Sequence, residues 1–271
     1  MVTSLLFVLL WQPQTAALGP LYQAELARVE SQFGADSTAA ATAAYDLGQF
    51  LLRQGNPQSA VAPLAKAAKI LDTDIAREAH AQALLASKNA PDAEAAFTLL
   101  AGSKDPKVAA RALTALADLT GNCPLYARAL ALEETIPRLN DLGLCEREQG
   151  NAAQAIARFR RALSLDPQGK NPETAVTLNN LASALLDTGV GAEAEVHQRR
   201  AWRILDATLG PRHTRTALSA SNLADILVTR GKTSEARRFF SLAYEVFNTR
   251  LGPDHPWTLE AKAALASAPR P

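Results

Sequence analysis

The residues able to do acid–base, nucleophilic or metal chemistry are few and scattered. The chain of 271 residues has four histidines, His80, His197, His213 and His255, and two cysteines, Cys123 and Cys145. A zinc protease places two histidines one helical turn apart with a glutamate beside the first, and no histidine here stands in an HExxH arrangement. No GxSxG nucleophile turn, Walker phosphate loop or GxGxxG after a strand pattern occurs. The cysteines form neither a CxxC pair nor a zinc ligand set. Two thiols are favoured over a bridge, because nothing in their placement fixes the distance between the sulfurs. The acidic pairs Glu133 with Glu134 and Glu193 with Glu195 read as solvated helix faces. The expectation is no enzyme: no catalytic residue, no metal and no cofactor.

What the histidines do share is position. His213 ends "LGPRH" at 209–213, and His255 stands at the same place in "LGPDHP" at 251–256. The same interval of 42 residues separates Leu181 from Leu223, Ala194 from Ala236 and Ala201 from Ala243. Landmarks that recur at a fixed period mark a repeat array, in which each unit packs on its neighbours rather than around one central core.

Composition agrees with helices. Hydrophobic residues make up 48% of the chain, charged residues 20% and aromatic residues 6%, with alanine and leucine at most apolar positions. A net charge of +1 gives no general attraction to nucleic acid or anionic membrane. The start is different in kind: "MVTSLLFVLLWQPQTAALGP" carries an apolar stretch from Leu5 to Trp11, then Pro13 and the small residues Thr15, Ala16 and Ala17. Residues 1–17 read as a cleaved signal peptide, although no Lys or Arg precedes the apolar run. The stretch is far shorter than the roughly 20 apolar residues a bilayer span needs, so no integral membrane segment is expected. Export to a periplasm or the exterior follows if the signal is real; the alternative is an uncleaved cap helix in a cytoplasmic protein.

The clearest unit is "LNDLGLCEREQGNAAQAIARFRRALSLDP" at 139–167. Leu142 and Gly143 fall within a first helix, Gly150 and Asn151 form a turn, and Ala155, Phe159 and Ala162 line a second helix that Pro167 ends. Small residues let two antiparallel helices approach, and Phe159 fills the space between them. This pattern resembles the tetratricopeptide repeat. The frame returns at Leu47, Gly48, Gly55, Ala60, Leu64 and Ala67; at Leu181, Ala182, Gly189, Ala194 and Ala201; and at Leu223, Ala224, Gly231, Ala236, Phe240 and Ala243. Residues 75–135 keep the helical period and landmarks such as Phe97, Pro106 and Gly121, and read as two degenerate repeats. Pro63 is expected to kink its helix or shift the start.

The longer units, with LGPDHP and NNLA, resemble the repeats of kinesin light chains and their bacterial relatives. In "LGPDHP", Gly252 suits a left-handed helix end, Asp254 or His255 can cap the next helix, and Pro256 suits its first position. "NPE" at 171–173 and "FGADS" at 33–37 are starts of the same kind. The resulting division is a leading helix and loop at 18–37, repeats over 38–135, one at 136–170, two long ones at 171–255, and a capping helix and tail at 256–271. Leu259 and Leu265 are expected to cover the apolar side of the last repeat. The fold predicted is an all-α, right-handed superhelical solenoid of antiparallel helix pairs.

The resemblance implies a protein-binding scaffold whose first helices line a concave groove. Carried over by position, the peptide-binding residues are Tyr45, Asp46 and Gln49; Asn140, Asp141 and Leu144; Val176, Asn179, Asn180 and Ser183; and Leu218, Ser221, Asn222 and Asp225. Asn180 and Asn222 stand out, since an amide can both donate to and accept from the backbone of an extended peptide. The competing reading is that these asparagines bond to neighbouring helices or water. The aspartates depart from the basic clamps that some family members use for carboxylates. Arg199, Arg200, Arg203, Arg230, Lys232, Arg237 and Arg238, with Arg212 and Arg215, form a second basic surface. Local salt bridges explain it better than nucleic acid, because no aromatic residues are interleaved for stacking. The expected partner is therefore a protein or peptide, and the expected state a monomer. Two other functions fit the class: an assembly chaperone for exported proteins, and a regulatory or sensor module acting on a separate enzyme or transcription factor.

Overall fold

The computed structural model describes residues 18–169 and 172–267. The signal-peptide reading of residues 1–17 and the NPE residue Asn171 therefore lie outside the described residues. Among those described, there are fourteen helices and no strand. They divide into two compact units, one ending at Leu132 and the other beginning at Glu133.

The first unit runs α1 (Leu18–Phe33), α2 (Thr38–Arg53), α3 (Pro57–Leu71), α4 (Asp74–Ala86), α5 (Ala90–Leu100), α6 (Pro106–Thr120) and α7 (Cys123–Leu132). The second runs α8 (Ile136–Glu148), α9 (Ala152–Leu165), α10 (Pro172–Asp187), α11 (Gly191–Leu209), α12 (Thr214–Thr229), α13 (Thr233–Leu251) and α14 (Pro256–Ser267). Within each unit every helix packs on the next in sequence, and α10 also touches α8 and α12. That is the nearest-neighbour contact pattern of an all-α solenoid.

Local sequence sets the helix ends. Ser37 accepts from the Ala40 N–H at 3.1 Å, and Asp105 accepts from Lys107 at 2.8 Å, so each satisfies an otherwise unbonded first-turn donor. In the long connectors the caps are imidazoles: His213 Nδ1 accepts from the Arg215 N–H at 3.1 Å, and His255 Nδ1 from the Trp257 N–H at 3.2 Å. Gly252 differs from the expected left-handed conformation. Its φ of 93° comes with ψ of 166°, and Gly210 has φ 86° and ψ 162°, an extended positive-φ region open essentially to glycine alone.

Close helix approach is visible at the paired small residues. A methyl group on Gly143 would lie 2.6 Å from the Phe159 ring, and one on Gly48 would lie 2.4 Å from Leu64 Cγ. Phe159, Leu64, Ala155 and Ala194 are all fully buried.

Three expectations are corrected. Helix α3 begins at Pro57 and continues through Pro63 to Leu71, so of the two effects expected of this proline the shifted start does not occur. In α14, Leu265 packs against the cluster of Leu223, Leu227 and Phe240, but Leu259 is 50% exposed and covers little. Both cysteines are disulfide-bonded, where two thiols were favoured.

Candidate functional site

The first-helix residues that the repeat pattern singled out do not share one environment. Tyr45, Leu144 and Leu218 are half-buried and pack against core clusters, so much of their surface is committed to the fold. Asn140 is buried, and its Nδ2 donates to Thr177 Oγ1 on α10 at 2.9 Å. Asn179, one repeat later, accepts at Oδ1 from Ser219 Oγ on α12 at 3.2 Å and from Gln198 Nε2 on α11. Both amides join successive first helices, the use that competed with ligand contact.

Asn180 and Ser183 on α10, and Ser221, Asn222 and Asp225 on α12, occupy the other set. Spacing of three residues puts Asn180 with Ser183, and Asn222 with Asp225, on one face of each helix. The two helices touch. All of these are half-buried except Asp225, which is exposed. The Asn180 Nδ2 group is enclosed yet has no hydrogen-bond partner among the described residues. Val176 and Gln49 are likewise half-buried, and Asp141 belongs to α8 one turn before Cys145.

Two aspartates carry an electrostatic burden. Although Asp225 keeps part of its surface in solvent, burial pushes its carboxyl above the ordinary range, and the Glu260 carboxylate on α14 adds to the rise. Burial likewise raises Asp46, with Arg53 opposing. Both ionised forms are therefore less stable in the fold than in water.

Part of the basic surface, Arg199, Arg230 and Lys232, is paired with carboxylates. Glu195 is buried, and it is not the solvated residue the sequence suggested: it accepts from Arg199 Nε at 2.9 Å, Arg230 Nη1 at 2.7 Å and Lys232 Nζ at 2.9 Å. Arg199 also forms a bidentate pair with Glu235 at 2.7 Å. Burial is the largest single effect on the Glu195 carboxyl and would raise its pKa, but Lys232 and Arg199 together outweigh it and hold the group below its usual value. Arg199 is held above its own, chiefly by Glu235. Glu134 with Arg161 and Glu193 with Arg160 are exposed pairs of the ordinary surface kind.

Gln198, Thr177 and Ser219 were not singled out from sequence, and Glu195 was named only as part of a solvated face. A readable signal existed for Gln198: counting sixteen residues on from each small first-helix residue gives Leu64, Phe159 and Phe240, but Gln198 in α11. Among the described residues, no group of three or more His, Cys, Asp or Glu side chains converges as a metal site, and no helix is long and apolar enough to cross a membrane.

Stacked helix pairs with alanines and glycines at the contacts, linked by glycine turns, define a helical repeat protein. Two models of the tetratricopeptide repeat match the sequence, one over residues 173–249 and the other over 20–76 and 140–204. The chain belongs to the tetratricopeptide repeat family. No curated protein matches it. Among solved structures, it is similar to the Cut9-Hcn1 hetero-tetramer of APC/C (16% identity, TM-score 0.61, covering 94% of this chain and 48% of that one). It is also similar to PilW, a type IV pilus biogenesis factor (16% identity, TM-score 0.63, 82% and 98%). A third likeness is to a signal transduction ATPase with numerous domains that carries a tetratricopeptide repeat sensor, from Pyrococcus horikoshii (14% identity, TM-score 0.68, 94% and 44%). The chain spans about half the length of the first and third of these. At such identities the likeness is one of fold.

Proposed function

We propose that the protein is a non-enzymatic scaffold that binds a segment of another protein along the first helices of its second unit. The observation that carries this is the Asn180 Nδ2 group, enclosed and without a partner among the described residues. An unbonded buried amide donor costs about 1–3 kcal/mol, a cost removed if the half-buried side chain turns its amide outward to a carbonyl of an extended peptide. Asn222 holds the equivalent place on α12, so the two amides offer repeated anchor points for a peptide backbone. Asp225, raised by burial and by Glu260, would be relieved by a basic side chain in the bound segment. Export remains part of the reading through residues 1–17, with the cytoplasm as its alternative.

The test is a crosslinked pull-down with the natural full-length chain, beside the double substitution Asn180→Ala with Asn222→Ala, with the amino terminus of the recovered bait sequenced. A discrete partner retained by the natural chain and lost by the double variant is the expected result. Equal partner sets for both baits would remove the asparagine groove. Broad, weak capture of many proteins would point instead to an assembly chaperone, and an intact Met1 to a cytoplasmic regulatory module.

A further inference from the structure

The second-helix residue that faces the small residue of its partner helix is Leu64 in α3, Phe159 in α9 and Phe240 in α13, each exposed by 2% or less. In α11 the same place is taken by Gln198, at 1% exposure. A buried amide is costly unless its polar atoms are bonded, so those bonds show what the residue does. Gln198 Nε2 donates to the main-chain oxygen of Ser219 at 3.0 Å and to Ser219 Oγ at 3.1 Å, both on α12. Its other hydrogen goes to Asn179 Oδ1 on α10, the two Ser219 oxygens sharing the first, and Ser219 Oγ donates to that same Asn179 oxygen at 3.2 Å.

The joint one repeat earlier is an internal comparison. There Asn140 of α8 donates to Thr177 of α10, the positions equivalent to Asn179 and Ser219, while Phe159 fills the place of Gln198. Asn140 Oδ1 is left with no partner among the described residues. An apolar contact is non-directional and tolerates small slides, whereas a hydrogen bond weakens steeply with angle. The α8–α10 joint is held by the single buried Asn140–Thr177 bond and the more exposed Arg147–Asp187 pair, whereas at the α10–α12 joint Gln198 adds a buried amide bonded to both helices at once.

We propose that Gln198 is a positioning residue for the groove: by bonding to α10 and α12 together it fixes their register, and with it the separation of Asn180 and Asn222. Asn180 adjoins Asn179, and Asn222 lies one turn beyond Ser219, so any slide between the helices moves the two groove amides apart. The consequence for binding rests on the reading under Proposed function; the consequence for register does not.

The experiment uses the full chain and Gln198→Met, which keeps the side-chain length and removes the donor. Nitroxide labels at Thr188→Cys, just after α10, and Arg215→Cys, in the first turn of α12, report the distance between the helices in unreduced protein. The expected result is a distance distribution widened about twofold with Tm little changed, since apolar residues fill this place elsewhere in the stack. An unchanged distribution overturns the proposal. Should Gln198→Met lower Tm, Asn179→Ala removes the α10 end of the joint at a half-buried site and must widen the same distribution. In parallel, a random peptide display library panned on the natural chain supplies the probe: a peptide whose binding is lost on substituting Asn180 and Asn222. Gln198→Met should bind that peptide roughly tenfold more weakly, the equivalent of about 1.4 kcal/mol. Unaltered affinity despite a widened distribution overturns the positioning role. If no peptide depends on the two asparagines, the groove reading fails, and the distance measurement still decides the role of Gln198 in register.

Discussion

Substituting Gly143 by alanine sets two well-measured effects against each other. In an exposed helix interior the change stabilises by about 1 kcal/mol, because glycine is the poorer helix former. Here the added methyl group would stand 2.6, 2.9 and 3.1 Å from three atoms of the Phe159 ring, inside van der Waals contact. Phe159 is fully buried beside Leu181 and Leu185, so the ring cannot yield without moving α9 or α10. Contacts this short place the overpacking cost in the upper part of its usual range, at roughly 2–3 kcal/mol, and the net expectation is a loss of about 1–2 kcal/mol after the gain of about 1 kcal/mol in helix propensity is subtracted. For a chain of this size that is a fall in Tm of about 3–6 °C, read by circular dichroism. A double-mutant cycle isolates the cause. In a Phe159→Ala background the methyl group enters vacated space, and Gly143→Ala should then stabilise by about 1 kcal/mol. A single variant as stable as the natural chain, or a cycle with no coupling, would refute the close-approach account.

Glu195→Gln leaves Arg199, Arg230 and Lys232 gathered around a neutral side chain and should cost about 1–3 kcal/mol in urea unfolding, less than a fully buried pair because the cations are partly solvated. The Glu195 and Glu235 carboxyls sit below their ordinary value of 4.5, so their contribution is full above that pH and is lost as pH falls through the folded-state values; Glu195→Gln should flatten this acid limb. Asp225 has the opposite sign: its folded-state value is raised above 3.8, so stability falls as pH rises through that value, and Asp225→Asn should raise Tm at neutral pH but not below pH 3.8. Lys88 holds a left-handed φ of 63° in the turn between α4 and α5, where the other repeats place glycine, and Lys88→Gly should stabilise by about 0.5–1 kcal/mol in thermal unfolding.

Helix order and the small-residue contacts were legible because they depend on neighbours in sequence. Ser37, Asp105 and His255 cap by reaching two or three residues along the chain, and Gly48 and Gly143 announce themselves by a fixed offset from the turn. The polar joints were not legible in the same way. Whether Asn140 turns toward Thr177 or toward a groove depends on the distance between helices separated by a whole intervening helix, and no local pattern encodes it. Glu195 misled for a related reason: its partner Arg199 lies one turn away, but Arg230 and Lys232 come from the following repeat and convert a surface glutamate into a buried one. Asn180 and Asn222 could be chosen by position alone. That Asn180 carries a donor unbonded among the described residues, and that the neighbouring Asn179 is already occupied, required three dimensions.

The paired connectors make the long repeat a transplantable cassette in one respect and not in another. Gly210 and Gly252 leave their helices with nearly the same backbone angles, φ 86° and 93°, and each is followed by an imidazole-capped helix start. A second copy of residues 210–251 spliced in at Leu251 would therefore meet the same chain geometry at both ends. Its lateral surfaces would not match as well. Between the two copies Ser221 would stand where Asn179 stands now, and Phe240 where Gln198 does, so the new seam would have no amide bridge. The backbone is built for duplication, while the seam between α10 and α12 is particular to one place in the array.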